Sequence, residues 1–77
     1  MSATLYIDGL LASIPEPTLK GMFSQFGKVL TIETMKARTP QSVTVGKVEM
    51  EMREEAMKAA RALHRSNLGG KLFLVFM

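Results

Sequence analysis

What most restricts this chain is the order in which two hydrophobic periods succeed one another along it. Leu19, Met22, Phe23 and Phe26 stand at i, i+3, i+4 and i+7, the spacing of one helical face. Ala56, Met57, Ala60 and Leu63 repeat that period within residues 53–65. Around them lie runs rich in β-branched and aromatic residues, which read as strands: Leu5-Tyr6-Ile7, then residues 29–35, 43–50 and 71–77. The order is therefore strand, helix, strand, strand, helix, strand. All 77 residues are taken up by these elements and their turns. No repeat or linker is left over, and one domain spanning residues 1–77 is expected, since so short a chain can bury only one core. Two helices and four strands in this order predict an α+β sandwich with both helices on one sheet face. The other face is uncovered, and function is to be sought there.

Local chemistry sets the expected boundaries. Asp8-Gly9 reads as a turn ending the first strand, and residues 10–17 read as a loop carrying two prolines. Gly27 is placed as the C′ glycine of the first helix. Gly21, inside that helix, costs about 1 kcal/mol against alanine, which close packing on the sheet would explain. Residues 36–42, with Pro40, form a basic loop. Glu54 and Glu55 open the second helix where the macrodipole favours acids, and Arg61, His64 and Arg65 suit its other end. Asn67-Leu68-Gly69-Gly70 is turn chemistry before the last strand.

Several function classes drop out on residue types. With no cysteine there is neither a disulfide framework nor a thiolate metal site. The lone His64 reads as a surface residue at a helix end, and Met50, Met52 and Met57 as core filling. No carboxylate, histidine and nucleophile set converges, so the chain does not read as an enzyme and no cofactor is expected. The apolar runs fall well short of the ~20 residues of a membrane span, and the N-terminus lacks signal-peptide layout. A cytoplasmic or nuclear setting is expected. Ten Lys and Arg against seven Asp and Glu leave a net charge of +3, compatible with a polyanionic partner but weak as an argument.

Leu5-Tyr6-Ile7-Asp8-Gly9-Leu10 matches a hexapeptide of aliphatic, aromatic, aliphatic, two variable residues and leucine. The stretch from Leu19 through Phe26-Gly27-Lys28-Val29 matches that pattern's first helix and second strand. Glu54-Glu55-Ala56-Met57-Lys58-Ala59-Ala60, Leu63 and Leu68-Gly69-Gly70-Lys71 match its second helix and final turn. From Thr4 to Val75 the chain thus resembles the RNA-recognition-motif family. The resemblance implies a βαββαβ, ferredoxin-like fold with a four-stranded antiparallel sheet, and binding of single-stranded RNA, or single-stranded DNA, on the open face. The octapeptide on the third strand departs from the family: a basic residue, Gly, Phe or Tyr, Gly or Ala, Phe, Val, any residue, then Phe or Tyr. Here it reads Val43-Thr44-Val45-Gly46-Lys47-Val48-Glu49-Met50, so Val45 and Lys47 stand where the family stacks bases. Weak or unspecific binding is the expected consequence.

Alternation along a strand sends Tyr6 and Asp8 to the open face if Leu5 and Ile7 face the helices. The same parity places Val43, Val45, Lys47 and Glu49 outside, and Leu74 and Phe76 outside if Phe73, Val75 and Met77 are core. Tyr6 is either a stacking platform or an ordinary cross-strand partner of Val45. Lys47, Lys36, Arg38 and Lys71 are candidate phosphate contacts, or solvated surface charges. Asp8 and Glu49 oppose a phosphate backbone unless they serve to satisfy Lys47. Glu33 and Met35 on the second strand complete the expected site. Met35, Val43, Val45, Leu74 and Phe76 would form an apolar patch, which supports a rival reading: a protein-interaction module on the same fold.

Overall fold

The computed structural model describes residues 1–39 and 42–77; Pro40, part of the expected basic loop, lies outside them. The elements run β1 (Ala3–Leu11), α1 (Glu16–Ser24), β2 (Val29–Thr34), β3 (Val43–Met50), α2 (Arg53–Leu63), β4 (Ser66–Leu68) and β5 (Lys71–Phe76). The sheet is antiparallel in the order β2-β3-β1-β5-β4, and α1 and α2 pack on one of its faces. This is the βαββαβ sandwich read from the periodicities, with one strand more than expected.

The additional strand is β4. Ser66, Asn67 and Leu68 pair with Phe73, Leu72 and Lys71, so only Gly69 and Gly70 form the turn. Both glycines have positive φ, +66° and +82°, as a two-residue type I′ hairpin requires. The turn chemistry was correctly placed there, but it begins two residues later than Asn67.

β1 also runs on where a turn was expected. Asp8 faces Val45 and Leu10 faces Thr44, which leaves Gly9 as an extra residue in a β-bulge, with φ +82°. The bulge changes the alternation. Leu5 and Ile7 point to the helices; without the extra residue Leu10 would point away, yet it is buried with them. A side chain on Gly9 would bring its Cβ 3.2 Å from the carbonyl oxygen of Leu72.

α1 begins at Glu16, three residues before the first member of its hydrophobic period, because Pro17 sits in the first turn, where a missing N–H costs nothing. Leu19 and Phe23 are fully buried, with Met22 and Phe26 packed against them. Gly27 is not a left-handed cap: the helix ends on Gln25 in helical geometry, and Gly27 has no positive φ. It is glycine because α2 lies against it, and a Cβ there would meet the Cβ of Glu55 at 2.8 Å. Gly21, in contrast, is exposed with nothing within 4 Å of where its Cβ would be, so close packing does not explain it.

α2 seats Ala56 and Ala59 on the sheet, two small side chains that allow a close approach, while Met57 and Met52 are exposed rather than core. Met50 alone of those three methionines is buried. The helix stops at Leu63, and Arg65 takes a left-handed φ of +64°. That turn directs the chain into β4. Met77, expected inside, is exposed beyond the end of β5.

Candidate functional site

The strand register assembles the open face in rows. Glu33 on β2 faces Lys47 on β3, Lys47 faces Tyr6 on β1, and Tyr6 faces Phe76 on β5. Tyr6 and Phe76 are 51% and 47% exposed, whereas the residues on either side of Tyr6, Leu5 and Ile7, are no more than 1% exposed. The neighbouring row is Val45, Asp8 and Leu74. Met35, the residue after β2, joins it through its N–H, which donates to the carbonyl of Val45 at 3.1 Å. The Thr44 hydroxyl donates to the Met35 carbonyl at 2.9 Å and fixes this residue from its other side.

Tyr6 therefore does not pair with Val45, as the ordinary sheet reading had it; Lys47 and Phe76 are its partners and Val45 belongs to Asp8. Between the rows lies a hollow of about 340 Å³ lined by Tyr6, Glu33, Met35, Val45 and Lys47. Lys36 and Arg38, both exposed, border an adjoining hollow of about 350 Å³ with Ala12, Ser13 and the shared Met35. The basic groups thus lie along one flank of the face, from Lys47 past Met35 to Arg38. A larger groove of about 450 Å³ runs between α1 and β2, but it has no aromatic side chain in its lining.

Lys71 does not join this set. It has the parity of Phe73 and Val75, which point to the helices, and lies beside the β4–β5 turn. Leu72, which the sequence reading passed over, has the open-face parity and is half exposed. The same alternation that selected Leu74 and Phe76 would have found it.

The charges on the face are not used up by one another. Among the described residues the one ion pair is Lys28 with Glu51 at 3.8 Å, on the rim. Neither Asp8 nor Glu49 comes within ion-pair distance of Lys47, so the acids do not serve to satisfy it. Glu49 instead accepts from the Thr31 hydroxyl at 3.5 Å.

His64 is half-buried and structural, not the free surface residue its position at a helix end suggested. Its Nδ1 accepts the N–H of Val75 at 3.0 Å, and its ring meets that of Phe76 edge-on, with centroids 5.4 Å apart at 67°. No local sequence signal could have disclosed this, since the contacts join residues 11 and 12 positions apart through the fold.

A family profile described as "RNA recognition motif" matches residues 5–73. Scaffold attachment factor B1 of Rattus norvegicus is 35% identical over 71 residues, 91% of this chain and 8% of that protein. The U11/U12 small nuclear ribonucleoprotein 31 kDa protein of Arabidopsis thaliana is 38% identical over 74 residues, 95% of this chain and 28% of that protein. The chain therefore spans only a small part of these relatives' length. Among solved structures, a Sxl-lethal protein/RNA complex superposes with a TM-score of 0.81 at 25% identity, over 95% of this chain and 46% of that one.

Proposed function

From the premise that this chain belongs to the RNA recognition motif family, we propose that its open sheet face binds single-stranded RNA, with Tyr6 and Phe76 as stacking platforms. The observation that carries this reading is the row Glu33, Lys47, Tyr6, Phe76, which sets two half-exposed aromatic rings and an unpaired cation side by side across three strands. An aromatic plane stacks a base for about 1–3 kcal/mol whatever its identity. Lys47, Lys36 and Arg38 supply phosphate contacts along the β2–β3 flank, which they share with the single acid Glu33. Single-stranded DNA presents the same stacking surfaces and phosphates and is bound in the same way.

Binding is weak. Val45 and Lys47 occupy positions where the family carries stacking rings, and two missing stacks amount to roughly 2–6 kcal/mol. We place this binding in a nuclear or cytoplasmic setting. It accords with the small nuclear ribonucleoprotein among the relatives, and among the described residues no helix is long and apolar enough to cross a membrane.

A second reading, in which the same face binds a protein, draws support from the exposed Met35, Val43, Val45 and Leu72 around the aromatic row. An NMR titration with a mixed pool of short RNA oligomers separates the two. Shift changes gathered at Tyr6, Lys47 and Phe76 are expected. Changes confined to Lys58, Arg61 and Arg65, with none at Tyr6, Lys47 or Phe76, would overturn the proposal, since Lys58 and Arg61 belong to α2, which packs on the opposite face of the sheet, and Arg65 follows it. No change at all would favour the protein partner.

A further inference from the structure

We infer that Asp8 is the residue by which this face selects among bases, and that it favours guanine and disfavours uracil. The inference rests on the RNA-binding reading above and deepens it.

Asp8 follows Tyr6 by two residues on β1, so the two side chains leave the same face about 7 Å apart along the strand. That is the reach of a base: a ring stacked on Tyr6 and extending along β1 brings its hydrogen-bonding edge over the carboxylate. Across the sheet Asp8 is flanked by Val45 and Leu74, neither of which offers it a hydrogen bond. Among the described residues it has no ion-pair partner, and no protein donor reaches its side chain. The other two acids of the face stand differently. Glu49 accepts from Thr31, and Glu33 lies across from Lys47. Asp8 also precedes the Gly9 bulge, which fixes the local twist of β1 beside the platform.

An ionised carboxylate only accepts hydrogen bonds, and it repels phosphate. What settles over Asp8 is therefore a base edge that donates, while the phosphates keep to the basic flank. Guanine offers two adjacent donors, N1–H and the N2 amino group, which match the two carboxylate oxygens. Cytosine and adenine each offer one amino group. Uracil offers a single N3–H between two carbonyl oxygens, and those oxygens face the carboxylate with like partial charge.

The experiment compares short oligomers that differ at one central base, guanine, hypoxanthine or uracil, by fluorescence anisotropy with the parent chain, Asp8→Asn and Tyr6→Ala. Asparagine keeps the shape but both donates and accepts, so it no longer excludes uracil. The parent is expected to prefer guanine over uracil by about tenfold, within the range a bidentate contact to a base edge discriminates. Asp8→Asn should reduce that preference to about twofold or less, and loss of the N2 amino group in hypoxanthine should weaken the parent but not the variant. Unchanged amide shifts at Leu5 and Val48 certify the fold, and Asp8 is exposed enough for the exchange to leave it intact. Equal affinity for guanine and uracil in the parent, or a preference that survives Asp8→Asn, overturns the assignment. If Tyr6→Ala still abolishes binding in that case, RNA recognition by the face stands and only the role of Asp8 fails. Absence of binding by every oligomer overturns both.

Discussion

The two faces of the sheet are made by the same strands from alternate residues, yet they obey different rules. On the helix side Leu5, Ile7, Val48, Phe73 and Val75 are all at most 4% exposed, and their neighbours Tyr6, Lys47 and Phe76 on the other side are all exposed. Shape dominates the first face, where interiors are close-packed and a lost methylene is felt. On the second, positions are constrained only by β propensity and by what is bound, so Val45 and Lys47 can depart from the family pattern without penalty to the fold. Degeneracy in the octapeptide thus bears on the proposed binding and not on stability.

Substitutions can sharpen that contrast or break it. The largest effect is expected from Phe23→Ala, which empties the centre of the helix layer at a cost of about 3–5 kcal/mol. Urea denaturation should show a domain stripped of most of its stability, and a loss below about 1 kcal/mol would mean the core is looser than its burial implies.

On the open face, Val45→Phe with Lys47→Phe should leave the urea midpoint nearly unchanged and increase RNA affinity. Each restored stack contributes about 1–3 kcal/mol, against about 0–1 kcal/mol for one screened lysine–phosphate contact. Anisotropy titration decides it. A folded double variant that binds no better than the parent would favour the protein-interaction reading.

Two glycines then test the helix layer from within. Gly27→Ala should cost about 1–3 kcal/mol, because the new Cβ overpacks the contact with Glu55 and part of that contact is the inflexible Cβ. Gly21→Ala should stabilise by about 1 kcal/mol, because it adds helix propensity in open space. Thermal melts of the two variants should move in opposite directions, and parallel shifts would contradict the packing described for α1 and α2.

The sequence made the layer order legible because period 2 and period 3.6 are local patterns, and each of the six long elements carried one. Parity also placed Tyr6, Asp8, Val45 and Lys47 on one face, and added Leu74 and Phe76 on the condition that Phe73, Val75 and Met77 were core, of which the first two are. What escaped it was decided between residues far apart in the chain. Gly9 reads as a turn until the pairing with β3 reveals a bulge, and Gly27 reads as a cap until α2 is packed against it. Ser66–Leu68 is too short to show alternation and becomes a strand only through the β5 edge it joins. His64 has no local signature at all, and Lys71 was misplaced because charge was read without parity.

One consequence of the β4 hairpin and His64 concerns how copies of this chain meet in a crowded solution. A sheet border with free N–H groups is a template on which another polypeptide can add a strand. On the β5 side that template is occupied: Ser66–Leu68 takes up the first half of the strand, and the imidazole of His64 takes the N–H of Val75 further along. The opposite border, β2, carries its own irregularity at Leu30, between Val29 paired with Met50 and Thr31 paired with Glu49. Stacking of copies edge to edge is thereby obstructed at both ends by a three-residue segment, one ring nitrogen and one inserted residue, leaving the broad surface between them as the part of the sheet that is free to engage a partner.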